Sequence, residues 1–254
     1  MVHFSDAPAS AGRSRTARGR RTAARFVDAA LALVAEHGLD NLTIQRLAKE
    51  TGLAVGALYR HFPGKGALVA TMQARVFADL ADDLRAADAA LPGPDQGNTA
   101  ENPATLALAR VIAALRAYRA LAAHHPERFA LLAQTLGDPR ELVTLDEAQP
   151  VAAPLGRLMA DMSRRLEDTA TATALAAGDP RHRALVLWAS VHGVLQLRKL
   201  ERFHMAGMHA AALAEEATRT LLLGWGADPE RLRRAEALAR GAVPLPSPHD
   251  TEER

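Results

Sequence analysis

Between Thr43 and Lys65 the chain reads TIQRLAKETGLAVGALYRHFPGK, two short apolar-periodic segments hinged at one glycine, and no other stretch restricts its fold as much. Ile44, Leu47 and Ala48, then Leu58 and Phe62, stand at the i, i+3, i+4 offsets that give each of two helices one apolar stripe, to be packed on a third helix. The tight turn between them requires a residue that tolerates a left-handed conformation, and Gly52 has no Cβ to oppose it. Leu53 is expected to fill the space between the helices. Gln45, Arg46, Val55, Gly56, Ala57, Tyr59, Arg60 and His61 are then left facing outward. This is the pattern of a helix-turn-helix, whose second helix enters the major groove of double-stranded DNA. Gly56 and Ala57 suit close backbone approach, and Val55 can touch a thymine methyl. Thr43 stands at an N-cap position, where its hydroxyl can satisfy a free amide while the other amides of that helix start attract a phosphate. Tyr59, His61 and Lys65 carry donors suited to phosphate oxygens.

Neighbouring segments extend the pattern. A first helix ends in Ala35-Glu36-His37-Gly38, Thr43 opens the second, Leu58-Tyr59-Arg60-His61-Phe62 closes the third, and Pro63-Gly64-Lys65-Gly66-Ala67-Leu68 begins a fourth. In order and spacing, residues 21–68 resemble the DNA-binding domain of the TetR family of bacterial transcriptional regulators. The resemblance implies phosphate contacts from Thr43, Tyr59, His61 and Lys65, with base reading by Gln45, Val55, Gly56 and Ala57. It implies an all-α protein: an N-terminal three-helix domain, and a larger helical domain for ligand binding and dimerisation. The expected divisions are a disordered basic arm over 1–19, the DNA-binding domain over 20–66, the helical body over 67–240 and a disordered tail over 241–254. One departure is Ala54, where many members carry a Ser or Thr cap worth about 1 kcal/mol. Gly66 weakens the next helix start by roughly 1 kcal/mol relative to alanine.

Charge is distributed accordingly. The chain of 254 residues has a formal net charge of only +2, yet its first 66 residues hold 10 Lys and Arg against 5 Asp and Glu. Arg13, Arg15, Arg18, Arg20, Arg21 and Arg25 precede or open the first helix. They suit either an arm reaching phosphates or the minor groove, or a solvated tail that aids solubility.

Beyond residue 66, helical stripes alternate with Pro and Gly punctuation. Leu68, Met72, Val76 and Leu80 mark a fourth helix that links head to body, and Leu108, Val111, Leu115, Tyr118 and Leu121 a fifth. Phe129 and Leu132 lie on a shorter sixth, Glu141–Pro154 reads as irregular, Leu155–Ala177 as helical, and Gly178-Asp179-Pro180 opens another helix. From Arg181 to Arg202 apolar residues occupy two faces, Leu185, Trp188 and Leu195 on one and Leu187, Val191 and Val194 on the other, so this helix needs two neighbours. One is its own core and the other a second subunit. The sequence expectation places Leu187, Val191 and Val194, with Leu221 and Leu222 of the next helix, at a homodimer interface, which suits a palindromic operator. Trp188-Ala189-Ser190-Val191-His192-Gly193 also resembles the tryptophan and histidine-glycine signature of the WHG-type subclass.

In the family a small molecule enters the body, moves the fourth helix and releases the operator, and repression is the usual mode. Phe129, Met159, Met162, Trp188 and His192 are the candidates to line such a pocket, and they also read as ordinary core. Their apolar character implies a hydrophobic or aromatic effector.

Other classes find less support. The chain has no cysteine, which removes disulfides, thiol sensing and Cys-ligated zinc. Nucleophile elbow, P-loop, dinucleotide fingerprint and His-Glu-x-x-His are missing. Ser190 and His192 point to different helix faces, His124 and His125 are adjacent, and His204 and His209 are badly spaced for a metal. No catalytic residue, metal or cofactor is expected. No apolar run reaches the roughly 18 residues of a membrane span, and the polar start lacks a signal-peptide segment, so a cytoplasmic protein without membrane contact is expected. The alternatives left are a non-specific DNA-binding protein and, more remotely, a helical enzyme.

Overall fold

The computed structural model describes residues 9–93, 102–137, 145–198 and 209–245. It is all-α, with no strand among the described residues. The head consists of α1 (Ala9–His37), a single 3-10 turn (Leu39–Asn41), α2 (Ile44–Thr51) and α3 (Val55–Tyr59). The body consists of α4 (Lys65–Ala89), α5 (Pro103–His124), α6 (Pro126–Gly137), α7 (Leu145–Thr171), α8 (Pro180–Gln196), α9 (Ala210–Gly224) and α10 (Pro229–Ala242).

Local chemistry sets the helix starts. Asn102, Asp179 and Asp228 each precede a proline and each accepts a backbone N–H of its own first turn: Ala104 for α5, Arg181 and His182 for α8, Arg231 for α10. The Asx oxygen satisfies a free amide, and the proline removes another while fixing the helical φ.

In the head, Phe26, Val27, Ala30 and Val34 of α1 are buried with Ile44, Leu47 and Ala48 of α2, Leu58 of α3 and Phe62. That core continues into the body through Leu68, Met72, Val76 and Leu80, all buried along α4. The central helix is α5, which packs on α4, α6, α7, α8 and α10. Nearly every side chain from Ala104 to Ala122 is buried, the condition of a helix that is apolar around its circumference. Across the α4–α7 contact the buried Arg165 guanidinium pairs with Asp88 and with Asp161 one turn away.

Three expectations change. Residues 9–19, expected as part of a disordered arm over 1–19, are helical and belong to α1, and residues 1–8 lie outside the described residues. α7 begins at Leu145, not after Pro154, and carries Pro150 and Pro154 inside it. Each proline removes one helical hydrogen bond, at about 3 kcal/mol in an exposed helix, but the buried stripe of Val151, Leu158, Met162 and Leu166 packs the helix against α4, α5 and α8. Burial of that face outweighs propensity. The same helix stops at Thr171, short of Ala177, where Thr173 takes a positive φ of 55°. Of the tail expected over 241–254, residues 246–254 lie outside the described residues, as do His204 and Met208.

Candidate functional site

Thr43 is extended, at φ −129°, and its Oγ1 accepts from the Arg46 backbone N–H at 3.1 Å, so the hydroxyl caps α2. Gly52 closes α2 in the left-handed region at φ 67°, its N–H bonded to the carbonyls of Ala48 and Lys49. With that reversal, Leu58 is wholly buried while Val55, Gly56 and Tyr59 face out. Gln45 and Arg60 are exposed, and Arg46 and Ala57 half-buried. The outward set read from the sequence is thus gathered at the α2–α3 end of the head. Ala54, at the N-cap of α3, makes no side-chain bond, and α3 is only five residues long.

Leu53 differs from expectation. It is 43% exposed and does not fill the space between the helices. Its N–H returns to Ala48 O at 3.1 Å, which completes the end of α2, and its side chain is turned outward.

His61 and Lys65 are held from behind. The His61 ring is half-buried, 5.6 Å from that of Phe26 and 6.3 Å from that of Phe62. Lys65 Nζ donates to Leu39 O at 3.0 Å, so the first residue of α4 is tied to the turn ahead of α2. One of the three ammonium donors is engaged there.

In the body, the sequence candidates Phe129, Trp188 and His192 come together around Tyr118. Ring centroids are 5.8 Å apart for Tyr118–Phe129, 5.4 Å for Phe129–His192 and 5.0 Å for Trp188–His192. Tyr118 Oη lies 2.6 Å from His192 Nδ1, and Gln196 Nε2 lies 2.7 Å from His192 Nε2. His192 thus has a polar partner on each ring nitrogen, Tyr118 on Nδ1 and Gln196 on Nε2. Burial pushes the Tyr118 hydroxyl far above its ordinary range and pushes His192 below its own, so both are neutral. Met162 is buried and Met159 half-buried on α7. The polar partner of His192, Tyr118, was read from the sequence only as one of the apolar stripe of α5.

Three of the five residues expected at the dimer interface lie inside the protomer. Leu187, Val191 and Leu222 are each 0% exposed within one chain, and Val194 and Leu221 are partly buried against the same core. Leu187 and Val191 share a stripe with Ala184 and Leu195, all buried, and that stripe belongs to the protomer's own interior. Of the large apolar side chains on α8 and α9, Leu185 is 55% exposed and Leu223 38% exposed.

Among the described residues no three His, Asp or Glu are arranged to hold a metal ion, and no helix is long and apolar enough to cross a membrane.

The family model for bacterial regulatory proteins of the tetR family matches residues 26–72, and that for a tetracyclin repressor-like C-terminal domain matches 111–221. Over 209 residues the chain is 28% identical to an uncharacterized HTH-type transcriptional regulator of Mycobacterium tuberculosis, covering 78% of this chain and 83% of that one. Over 63 residues it is 40% identical to the HTH-type transcriptional repressor DrrR1 of Streptomyces coeruleorubidus, covering 25% and 23% of the two chains. Among solved structures it resembles SmeT, the repressor of the Stenotrophomonas maltophilia multidrug efflux pump SmeDEF, at a TM-score of 0.58 and 22% identity over 89% of this chain and 97% of that one. It likewise resembles a SmeT–triclosan complex, at 0.58 and 23% over 90% and 99%. A capped α2, a left-handed glycine, an outward α3 and an all-helical body, matched by two family models in that order, identify the chain as a member of the TetR family of DNA-binding transcriptional regulators.

Proposed function

We propose that the protein is a homodimeric repressor that binds a palindromic operator through α2 and α3 and is released from it by a small apolar effector. The observation that carries this reading is the outward face of α3. Val55 and Tyr59 are 37% and 47% exposed next to the glycine backbone of Gly56, while Leu58 on the opposite side is fully buried. Large exposed apolar groups at a helix that is otherwise anchored are placed to meet a groove. Thr43, Gln45, Tyr59, His61 and Lys65 would surround it with hydroxyl, amide, imidazole and ammonium donors, and Arg46 and Ala57 complete the contact set.

Two halves of an operator require two heads. Leu185 and Leu223 on the adjacent helices α8 and α9 offer an apolar surface for a second copy. The effector would enter beside Tyr118, Phe129, Trp188 and His192, with Met159 and Met162 from α7. It acts through α4, which is tied at one end to Leu39 by Lys65 and near the other to Arg165 by Asp88. An effector that favours a shifted α4 by about 1 to 3 kcal/mol changes operator affinity some 5- to 150-fold. A small apolar molecule bound to a structural relative, triclosan on SmeT, is in keeping with this class of ligand. Such a regulator works in the cytoplasm, where the DNA is.

The test is selection of bound fragments from a random DNA library by the purified protein at near-physiological salt. Enrichment of a palindrome is the expected outcome. Uniform recovery, with affinity that depends on salt but not on sequence, would make the protein a non-specific DNA binder.

A further inference from the structure

On α5, Tyr118 faces the aromatic cluster, while the next residue, Arg119, faces away from it towards α9. There Arg119 Nη1 and Arg116 Nη1 donate to the same carboxylate oxygen, Glu215 Oε1, at 2.7 and 2.9 Å. Arg116 Nε is engaged with Val243 O at 3.0 Å, just past α10. Arg116 and Arg119 are 6% and 7% exposed, so two guanidinium groups are buried against one carboxylate. Arg119 Nε is buried and has no hydrogen-bond partner. Both arginines line a narrow cleft between α5, α9 and α10 with a volume of about 30 Å³. Arg219 and Glu236, which pair with each other, line it too, as does Arg240, so four cations face two anions there. The apolar part of the lining comes from Ile112 and Leu115.

Buried charge without a matching counter-charge is expensive, and a planar guanidinium is the group best suited to take a carboxylate through paired N–H donors. Glu215 supplies half of what two arginines require. The geometry points to a second ligand site in this cleft, one that takes the carboxylate of a small organic acid on Arg116, Arg119 and Arg240, with the acid's apolar part against Ile112 and Leu115. The enclosed space admits a carboxylate-sized headgroup and leaves the remainder of the ligand in the mouth. Its polarity is opposite to that of the aromatic cluster on the other side of α5, so the two sites select different molecules. Occupation would tie α10 and α9 to α5 more firmly.

The experiment is calorimetric titration of the full chain, without DNA, using benzoate, its uncharged counterpart benzamide and inorganic phosphate. Benzoate is expected to bind once per chain and benzamide not at all. Arg240→Gln, an exposed position, weakens benzoate roughly tenfold through loss of one charge-assisted contact. Glu215→Gln removes the internal competitor and tightens it by a similar factor. Equal binding of benzoate and benzamide, or an affinity for benzoate that neither variant moves, would overturn the site. Binding of phosphate without benzoate would overturn the assignment to organic acids. If Glu215→Gln does not fold, the comparison of Arg240→Gln with the parent decides.

Discussion

Tyr118 Oη and His192 Nδ1 lie 2.6 Å apart, a contact that joins α5 to α8 across 74 residues of sequence. Both groups are buried, so the contact replaces water that neither can reach. Tyr118→Phe leaves His192 Nδ1 without its partner, and an unsatisfied buried polar atom costs about 1 to 3 kcal/mol. Urea denaturation is expected to show a loss in that range with an unchanged slope. A loss below about 0.5 kcal/mol, the range of a surface substitution, would show that His192 finds another partner.

Burial lowers the His192 pKa below its unfolded value of 6.5. The unfolded chain therefore binds a proton at a higher pH than the folded one does. The stability that goes with a neutral His192 is fully present above the unfolded pKa and is lost progressively as pH falls from there through the folded pKa. Thermal melts between pH 7.5 and pH 5 should show a declining midpoint in the parent, and a shallower decline in His192→Gln, which is the less stable protein at pH 7.5. A parallel decline would assign the pH dependence to other groups.

Gly52 sits at φ 67° with nothing within 4 Å of where a Cβ would stand. Strain there comes from the backbone alone and not from crowding. Gly52→Ala is expected to destabilise the head by about 1 to 2 kcal/mol, and Gly52→Asn by less, because Asn tolerates the left-handed region. Hydrogen exchange of the α2 amides, compared with those of α5, would localise the effect. Equal loosening of both helices would contradict a local origin.

The two leucine classes on α8 give opposite outcomes. Leu185→Glu, alone or with Leu223→Glu, places charge on an exposed apolar surface and is expected to yield a folded monomer by sedimentation, with loss of tight operator binding. Leu187→Ala empties a site that is 0% exposed and is expected to cost about 2 to 5 kcal/mol while leaving the oligomeric state unchanged. If Leu185→Glu sediments like the parent, the dimer face lies elsewhere.

What was legible in the sequence follows physical locality. Thr43, Gly52, Leu58 and the Asp179-Pro180 helix start act through neighbours within four residues, and all fall where the pattern puts them. Leu53 was misread because a single left-handed residue decides which way the next side chain turns. The start of α7 was hidden because prolines speak against a helix locally, whereas its apolar stripe is paid for by packing on α4, α5 and α8. Two apolar faces of α8 were visible, but periodicity carries no sign, and only tertiary structure shows that Leu187 and Val191 turn inward. The pairing of Arg116 and Arg119 with Glu215 joins residues 99 and 96 positions apart, and nothing local announces it.

Lys65 braces the head and is a proposed phosphate contact, and one pair of substitutions separates the two roles. Its Nζ holds Leu39 O at 3.0 Å, and that same carbonyl accepts from Leu42 N–H at 3.1 Å, so the ammonium braces the turn from which Thr43 and α2 depart. As a phosphate contact it would also release about one counterion on binding DNA, whatever the sequence. Lys65→Met is expected to weaken operator and random DNA by similar factors and to reduce the slope of log affinity against log salt by about 1. Lys65→Arg keeps the charge but presents a planar fork in place of a compact ammonium, so it is expected to restore the salt slope while leaving the turn less firmly held. Binding measured at four salt concentrations, with exchange of the Leu42 amide, separates these effects. If Lys65→Met leaves the slope unchanged, the ammonium is a brace only, and the phosphate contacts rest on Thr43, Tyr59 and His61.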